Sequence, residues 1–188
     1  GGAADHRLLV RSLRGAPREA LALGWSGRAE AVEPLLAALE ETGGAGMACR
    51  FLTPEDVAKS PPYPVALAEA LHRITGLGRS AIATARERGP DGSALPALTD
   101  PAAWRARWTE HGRALPRGVR CRFGQPHTPS ASLDELLSTD VRSADRALCA
   151  LEVAIASGGA ARIRLGGWTA AQRRDIELAR EMIREVIR

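Results

Sequence analysis

Lysine is almost missing from this chain. Lys59 stands alone, so arginine supplies the rest of the 26 basic residues, against 22 acidic ones, for a formal net charge of +4. Aromatic residues are scarce too, at 4%, with one tyrosine and two phenylalanines. A core so poor in rings must be built from Ala, Leu, Val and Ile. That suits closely packed helices and argues against a β-sandwich, where aromatic and β-branched residues dominate. Cys49, Cys121 and Cys149 are the only cysteines. They are odd in number and far apart, which excludes a disulfide framework and fits a reducing compartment. No apolar run approaches the roughly 20 residues needed to span a bilayer, and nothing reads as a signal peptide. The expectation is a cytoplasmic location and no membrane partner.

The signatures of common chemistries are also missing. The histidines, His6, His72, His111 and His127, are nowhere spaced as metal ligands. Cys121 and His127 are the nearest mixed pair, with no second pair to complete tetrahedral zinc. Cys121 and Cys149 are expected as small core fillers. There is no Gly-x-Ser-x-Gly elbow. Gly43-Gly-Ala-Gly46 and Gly76-Leu-Gly78 lack the lysine and following hydroxyl of a phosphate loop and read as helix stops. No catalytic residue, metal or cofactor is expected, and the chain does not read as an enzyme.

What is present is a series of short helices punctuated by glycine. One is expected from about Ala4 to Leu13, ended by Gly15. Pro17 suits the first turn of a second, which is expected to stop at Gly24. Gly27 allows the reversal into a third, where Ala29, Val32, Leu36 and Leu39 form one apolar stripe. Pro34 implies either an early start of that helix or a slight kink. Thr53-Pro54-Glu55-Asp56 opens a short helix, and Ser60-Pro61-Pro62-Tyr63-Pro64 leads into another over 65–75, ended by Gly76. Ser80 to Arg88 holds two further helical turns, broken by Gly89-Pro90-Asp91-Gly92. Asp100-Pro101 caps a helix that puts Trp104 and Trp108 on one face. Ser132-Leu-Asp-Glu135 and Thr169-Ala-Ala-Gln172 are capping-box patterns. Between them Val141, Ala144, Leu148, Leu151 and Ile155 make a stripe. The last helix has a seam of Ile176, Ala179, Ile183 and Val186, with Glu177–Arg180 and Glu181–Arg184 as surface pairs. Val119–Phe123 and Arg162–Leu165 read as two short strands able to pair as a ribbon.

The run Ala22-Leu-Gly24, Ala31-Val-Glu-Pro-Leu-Leu36 and Ala68-Glu-Ala-Leu-His-Arg-Ile-Thr-Gly76 resembles bacterial HEAT-like repeats. More narrowly, with Trp104, Trp108 and Arg120-Cys-Arg-Phe-Gly-Gln-Pro-His-Thr128, it resembles the C-terminal part of an uncharacterised HEAT-repeat family. That family occurs in several copies in some myxobacteria and is sometimes encoded near type VI secretion genes. The resemblance spans about 17–155 and implies a mostly α fold: a short HEAT-like α-solenoid over 1–90 and a C-terminal helical region over 91–188, with the small β-ribbon in the latter. It carries over no catalytic residue. It implies a non-enzymatic protein–protein interaction scaffold or adaptor in a secretion-linked system, with a protein as partner. The second reading is a nucleic-acid-binding HEAT-like protein or a base-excision enzyme on the same scaffold. The basic residues are interleaved with acidic ones, so no stripe favours nucleic acid.

Two groups are candidate partner-binding residues. Trp104, Arg105, Arg107 and Trp108 combine rings with guanidinium groups, which anchor proteins or stack on bases; the plainer reading is that the tryptophans cover the end of the helix stack. Arg120, Arg122, Arg162 and Arg164, with Arg117 nearby, would make a basic ribbon if the two strands pair, or else solvated strand faces. Oligomeric state stays open at this point.

Overall fold

The structure, a computed structural model, describes residues 3–13, 15–43, 60–77, 99–111, 115–137, 143–166 and 169–186. The expected helices opening at Thr53 and over Ser80–Arg88 lie outside these residues, as does the expected domain boundary at 90/91. The described chain is mostly helical with one small antiparallel sheet. Its order is α1 (Ala3–Arg11), α2 (Pro17–Ser26), a 3-10 turn (Ala29–Ala31), α3 (Val32–Glu41), α4 (Tyr63–Thr75), α5 (Pro101–His111), β1 (Cys121–Arg122), β2 (Gln125–Pro126), α6 (Pro129–Leu137), α7 (Ser143–Ala156) and α8 (Thr169–Val186). No helix among the described residues is long and apolar enough to cross a membrane. Two compact units divide the chain, Gly1–His127 and Thr128–Arg188.

In the first unit, α4 is the central element and packs against both α2 and α3. Its buried residues run almost unbroken from Val65 to Leu71 and on to Arg73, Ile74 and Thr75. Leu23, Leu35, Leu36, Leu39, Leu67, Leu71 and Ile74 are fully buried, each contributing about 1.5–3 kcal/mol of transfer free energy. Val32, Leu36 and Leu39 of the stripe expected on the third helix are thus the buried face of α3, while Ala29 sits half-buried in the preceding 3-10 turn. Pro34 needs no kink: α3 begins at Val32, so Pro34 sits in its first turn, where the missing N–H has no partner to lose. Gly24 does not end α2. It lies inside the helix, where a Cβ would come within 2.8 Å of the Ala70 Cα. The helix ends instead on Gly27 in the left-handed region, and α4 ends likewise on Gly76.

The sheet differs from the expected ribbon. Cys121 pairs with Pro126 and Arg122 with Gln125, closing a two-residue turn at Phe123-Gly124 where both residues have positive φ, 49° and 78°. Residues 162–164 form no strand. The hairpin docks by its main chain. The Cys121 N–H donates to Gly27 O (2.6 Å), Phe123 N–H to Arg73 O (2.6 Å) and Gly124 N–H to Ile74 O (3.0 Å). It therefore caps carbonyls at the C-terminal ends of α2 and α4 that no intrahelical donor reaches.

In the second unit, α6 packs against α7 and α8. The Thr128 hydroxyl accepts from the Ala131 N–H, so Thr128-Pro129 starts α6, and Ser132 lies buried inside the helix rather than capping it. Ile176, Ala179 and Ile183 are buried as expected. Arg180 reaches Asp134 at 2.7 Å instead of the expected Glu177.

Gly124 tests the hairpin's fit. A Cβ there would sit 2.6 Å from Thr75 O, whereas at Gly118, with a similar φ of 73°, it would meet nothing within 4 Å. Gly118→Ala should cost about 1 kcal/mol of left-handed strain. Gly124→Ala should cost about 3 kcal/mol, because backbone cannot yield to the clash. Urea midpoints measure both, and equal losses would mean that the hairpin does not fit this closely.

Candidate interaction surface

The Trp104 cluster is built on α5. The Asp100 carboxylate accepts the Ala102 N–H at 2.9 Å and caps the helix. Trp104 and Trp108 do share a face, but that face turns to α3. Trp104 is 2% exposed and belongs to the core, so it presents no surface to a partner. Trp108 Nε1 donates to Glu33 Oε1 at 2.7 Å. Arg105 bridges two carboxylates, Nη1 to Glu33 (2.6 Å) and Nε to Glu40 (2.9 Å). The hydrogen bond from Arg105 holds the Glu33 carboxyl below the usual range. These groups are substantially exposed, so each pair contributes about 0–1 kcal/mol. Glu33 and Glu40 lie two helical turns apart on α3, a spacing the sequence displays, but only the docking of α5 gives it a meaning. Arg107 is half-buried on the same helix. Beside the cluster, Glu30, Glu33, Arg105, Trp108, Leu115 and Arg117 border an open cleft of about 600 Å³.

The hairpin arginines are also turned inward. Arg122 is 4% exposed, with its guanidinium 4.7 Å from the centre of the Trp25 ring. Arg73, 5% exposed, lies 4.0 Å from the same ring. Arg120 Nη2 donates to Trp25 O at 2.8 Å. Two desolvated cations on one indole contribute on the order of 2 kcal/mol each. Trp25, which the sequence suggests only as a cap on the apolar layer, is thus the hub that holds the hairpin. Arg162 and Arg164 belong to the other unit. Arg162 is exposed, while Arg164 grips Asp175 through Nε and Nη2, both at 2.9 Å. The basic ribbon expected from pairing 119–123 with 162–165 therefore does not form.

The surface that remains was expected to be core. Leu148, Leu151 and Ile155 on α7 are 40%, 55% and 71% exposed. Asp145, Cys149 and Val153 are buried instead. The polar side of α7 bonds to α6. Ser132 Oγ donates to Glu152 Oε2 (2.7 Å), Cys149 Sγ to Glu135 Oε2 (3.4 Å) and Arg146 Nη1 to Leu136 O (3.1 Å). The sequence signal was the matching polar set, Ser132 and Glu135 on one helix and Cys149 and Glu152 on the other. Cys121 and Cys149 are both buried, as expected of core fillers. Among the described residues, no three His, Cys, Asp or Glu side chains are grouped to hold a metal ion.

The Arg164–Asp175 pair has a measurable signature. Hydrogen bonds from the Arg164 side chain, then from its backbone N–H, lower the Asp175 carboxyl from 3.8 to about 2. A depressed carboxylate stabilises the fold above its ordinary value, and that contribution is lost as pH falls toward about 2. Arg164→Gln should return Asp175 toward 3.8, read from its carboxyl carbon in an NMR titration; an unchanged value would mean that the pair does not form in solution.

Compared with protein families, curated proteins and solved structures, the chain finds no match in any of the three.

Proposed function

We propose that this protein is a non-enzymatic protein-interaction module, a scaffold or adaptor, and that it binds its partner through the Leu148–Leu151–Ile155 face of α7. The observation that carries the reading is the inversion of that helix: large apolar side chains at spacings of three and four face solvent, while its charged and polar groups bond to α6. Three such residues spaced over two turns match the anchors by which one helix engages an apolar groove or a second helix. Engagement of Arg105, Arg122 and Arg164 within the chain leaves fewer free cations for a phosphate backbone, which disfavours the nucleic-acid reading. The resemblance to HEAT-like repeats supports the scaffold role, and a stack of helices burying one stripe each is the arrangement such a solenoid requires. The adaptor's place in a cytoplasmic, secretion-linked system rests on that resemblance.

The test is capture of a partner by the full chain from nuclease-treated lysate, beside the Leu151→Asp/Ile155→Asp double variant. Exposed substitutions change stability by about 0.5 kcal/mol or less each, so the variant should keep its helical circular-dichroism signal and urea midpoint. The stoichiometric partner should be lost from the variant. Retention of the partner overturns the assignment of the surface; unfolding of the variant shows that the stripe is part of the fold; recovery that depends on nucleic acid favours the second reading.

A further inference from the structure

A separate cavity of about 310 Å³ lies in the first unit between α1, the end of α2 and the hairpin. It is lined by Asp5, His6, Leu9, Trp25, Ser26, Arg28 and Arg120. Its volume equals about ten waters, enough for an oxyanion with a small organic group. Arg28 and Arg120 form an antiparallel bridge. Directly opposed residues point to the same side with their Cβ atoms about 5 Å apart. Here both side chains line one cavity, and among its lining residues Asp5 is the single carboxylate. The third element is His6, whose Nδ1 is buried without a hydrogen-bond partner.

We propose that this cavity binds a small oxyanion of the phosphate class, inorganic phosphate or a simple monoester, between Arg28, Arg120 and His6. The Arg28 guanidinium and the Arg120 donors other than the Nη2 that bonds Trp25 O match phosphate oxygens. The His6 imidazole gains a partner for its orphaned nitrogen. Asp5 gives selectivity: its carboxylate accepts a hydrogen bond from a P–OH group, which hydrogen phosphate has and sulfate does not. Without ligand, burial first and Arg28 second hold His6 below its ordinary value, with Glu30 opposing them. An anion beside Arg28 reverses that balance, so binding raises the pKa of His6 and draws a proton to it. The charged groups facing the imidazole are Asp5 on its own helix, Arg28 and Glu30 beyond α2, and Arg120 on the hairpin.

The experiment is an NMR titration of the full chain with inorganic phosphate, following the His6 ring signals across pH. Saturable shifts and an upward move of the His6 pKa are expected, with sulfate binding at least tenfold more weakly. Arg28→Gln should weaken phosphate at least tenfold and, without ligand, raise the His6 pKa. Asp5→Asn should narrow the preference over sulfate. A tighter response to methyl phosphate than to inorganic phosphate identifies an ester as the ligand, and the opposite order identifies the free ion. Absence of saturable shifts at millimolar phosphate overturns the proposal, as does unaltered affinity in a folded Arg28→Gln variant. Should that variant not fold, the His6 response of the unaltered chain decides alone.

Discussion

Three main-chain hydrogen bonds, from Cys121, Phe123 and Gly124 to Gly27, Arg73 and Ile74, hold the first unit together at its ends. Helix C-termini present carbonyls that must find donors, and here a hairpin distant in sequence supplies them. The glycines follow from that contact. At Gly27, Gly76 and Gly124 a Cβ would meet backbone of the opposing segment at 2.3–2.6 Å, so each position combines left-handed φ with a close approach that only glycine permits. Phe123 accepts a φ of 49°, a conformation costly to a residue with a Cβ. Its N–H bond to Arg73 and its ring 5.3 Å from that of His72 are the compensation. The Trp25 clamp then seats Arg73 and Arg122 over one ring, so the side chains repeat what the main chain has joined.

Much of this was legible from local sequence where a local rule governs. Pro17, Asp100 and Gly76 mark the helix ends they were expected to mark, and Val32, Leu36 and Leu39 of α3 and Ile176, Ala179 and Ile183 of α8 are buried as expected. The misreadings share a cause: they depend on what lies opposite. Gly24 looks like a stop, but its smallness serves contact with Ala70. Phe123 is a poor turn residue by propensity, so 119–123 read as a strand seeking a distant mate when its mate was three residues on. Ser132 fits a capping box until Thr128 takes that role and Glu152 claims the hydroxyl. Arg122 was expected at the surface and is buried against Trp25, and nothing in the spacing of Arg105 and Arg164 reveals that Glu33, Glu40 and Asp175 wait for them.

The stripe on α7 shows the same limit from the other side. Its 3-4-3-4 spacing is sound evidence for a helix, and α7 is one. Periodicity cannot say which face meets the neighbour when both faces have something to offer. The polar face won inside because α6 brings Ser132, Glu135 and a free carbonyl at Leu136. A buried polar layer fixes register through its directional bonds, whereas an apolar layer tolerates sliding. The consequence is a helix whose large apolar side chains, Leu148, Leu151 and Ile155, face solvent.

The wide separation in sequence between the helix ends and the hairpin that caps them has a bearing on synthesis. During translation, α4 leaves the ribosome roughly fifty residues ahead of Gly124, which at about 5–20 residues per second is a delay of several seconds. Through that interval Gly27, Arg73 and Ile74 hold their carbonyls toward water, and Trp25 lacks one of its two cations. The nascent first unit can collapse around its leucines, but it becomes rigid only when the hairpin arrives.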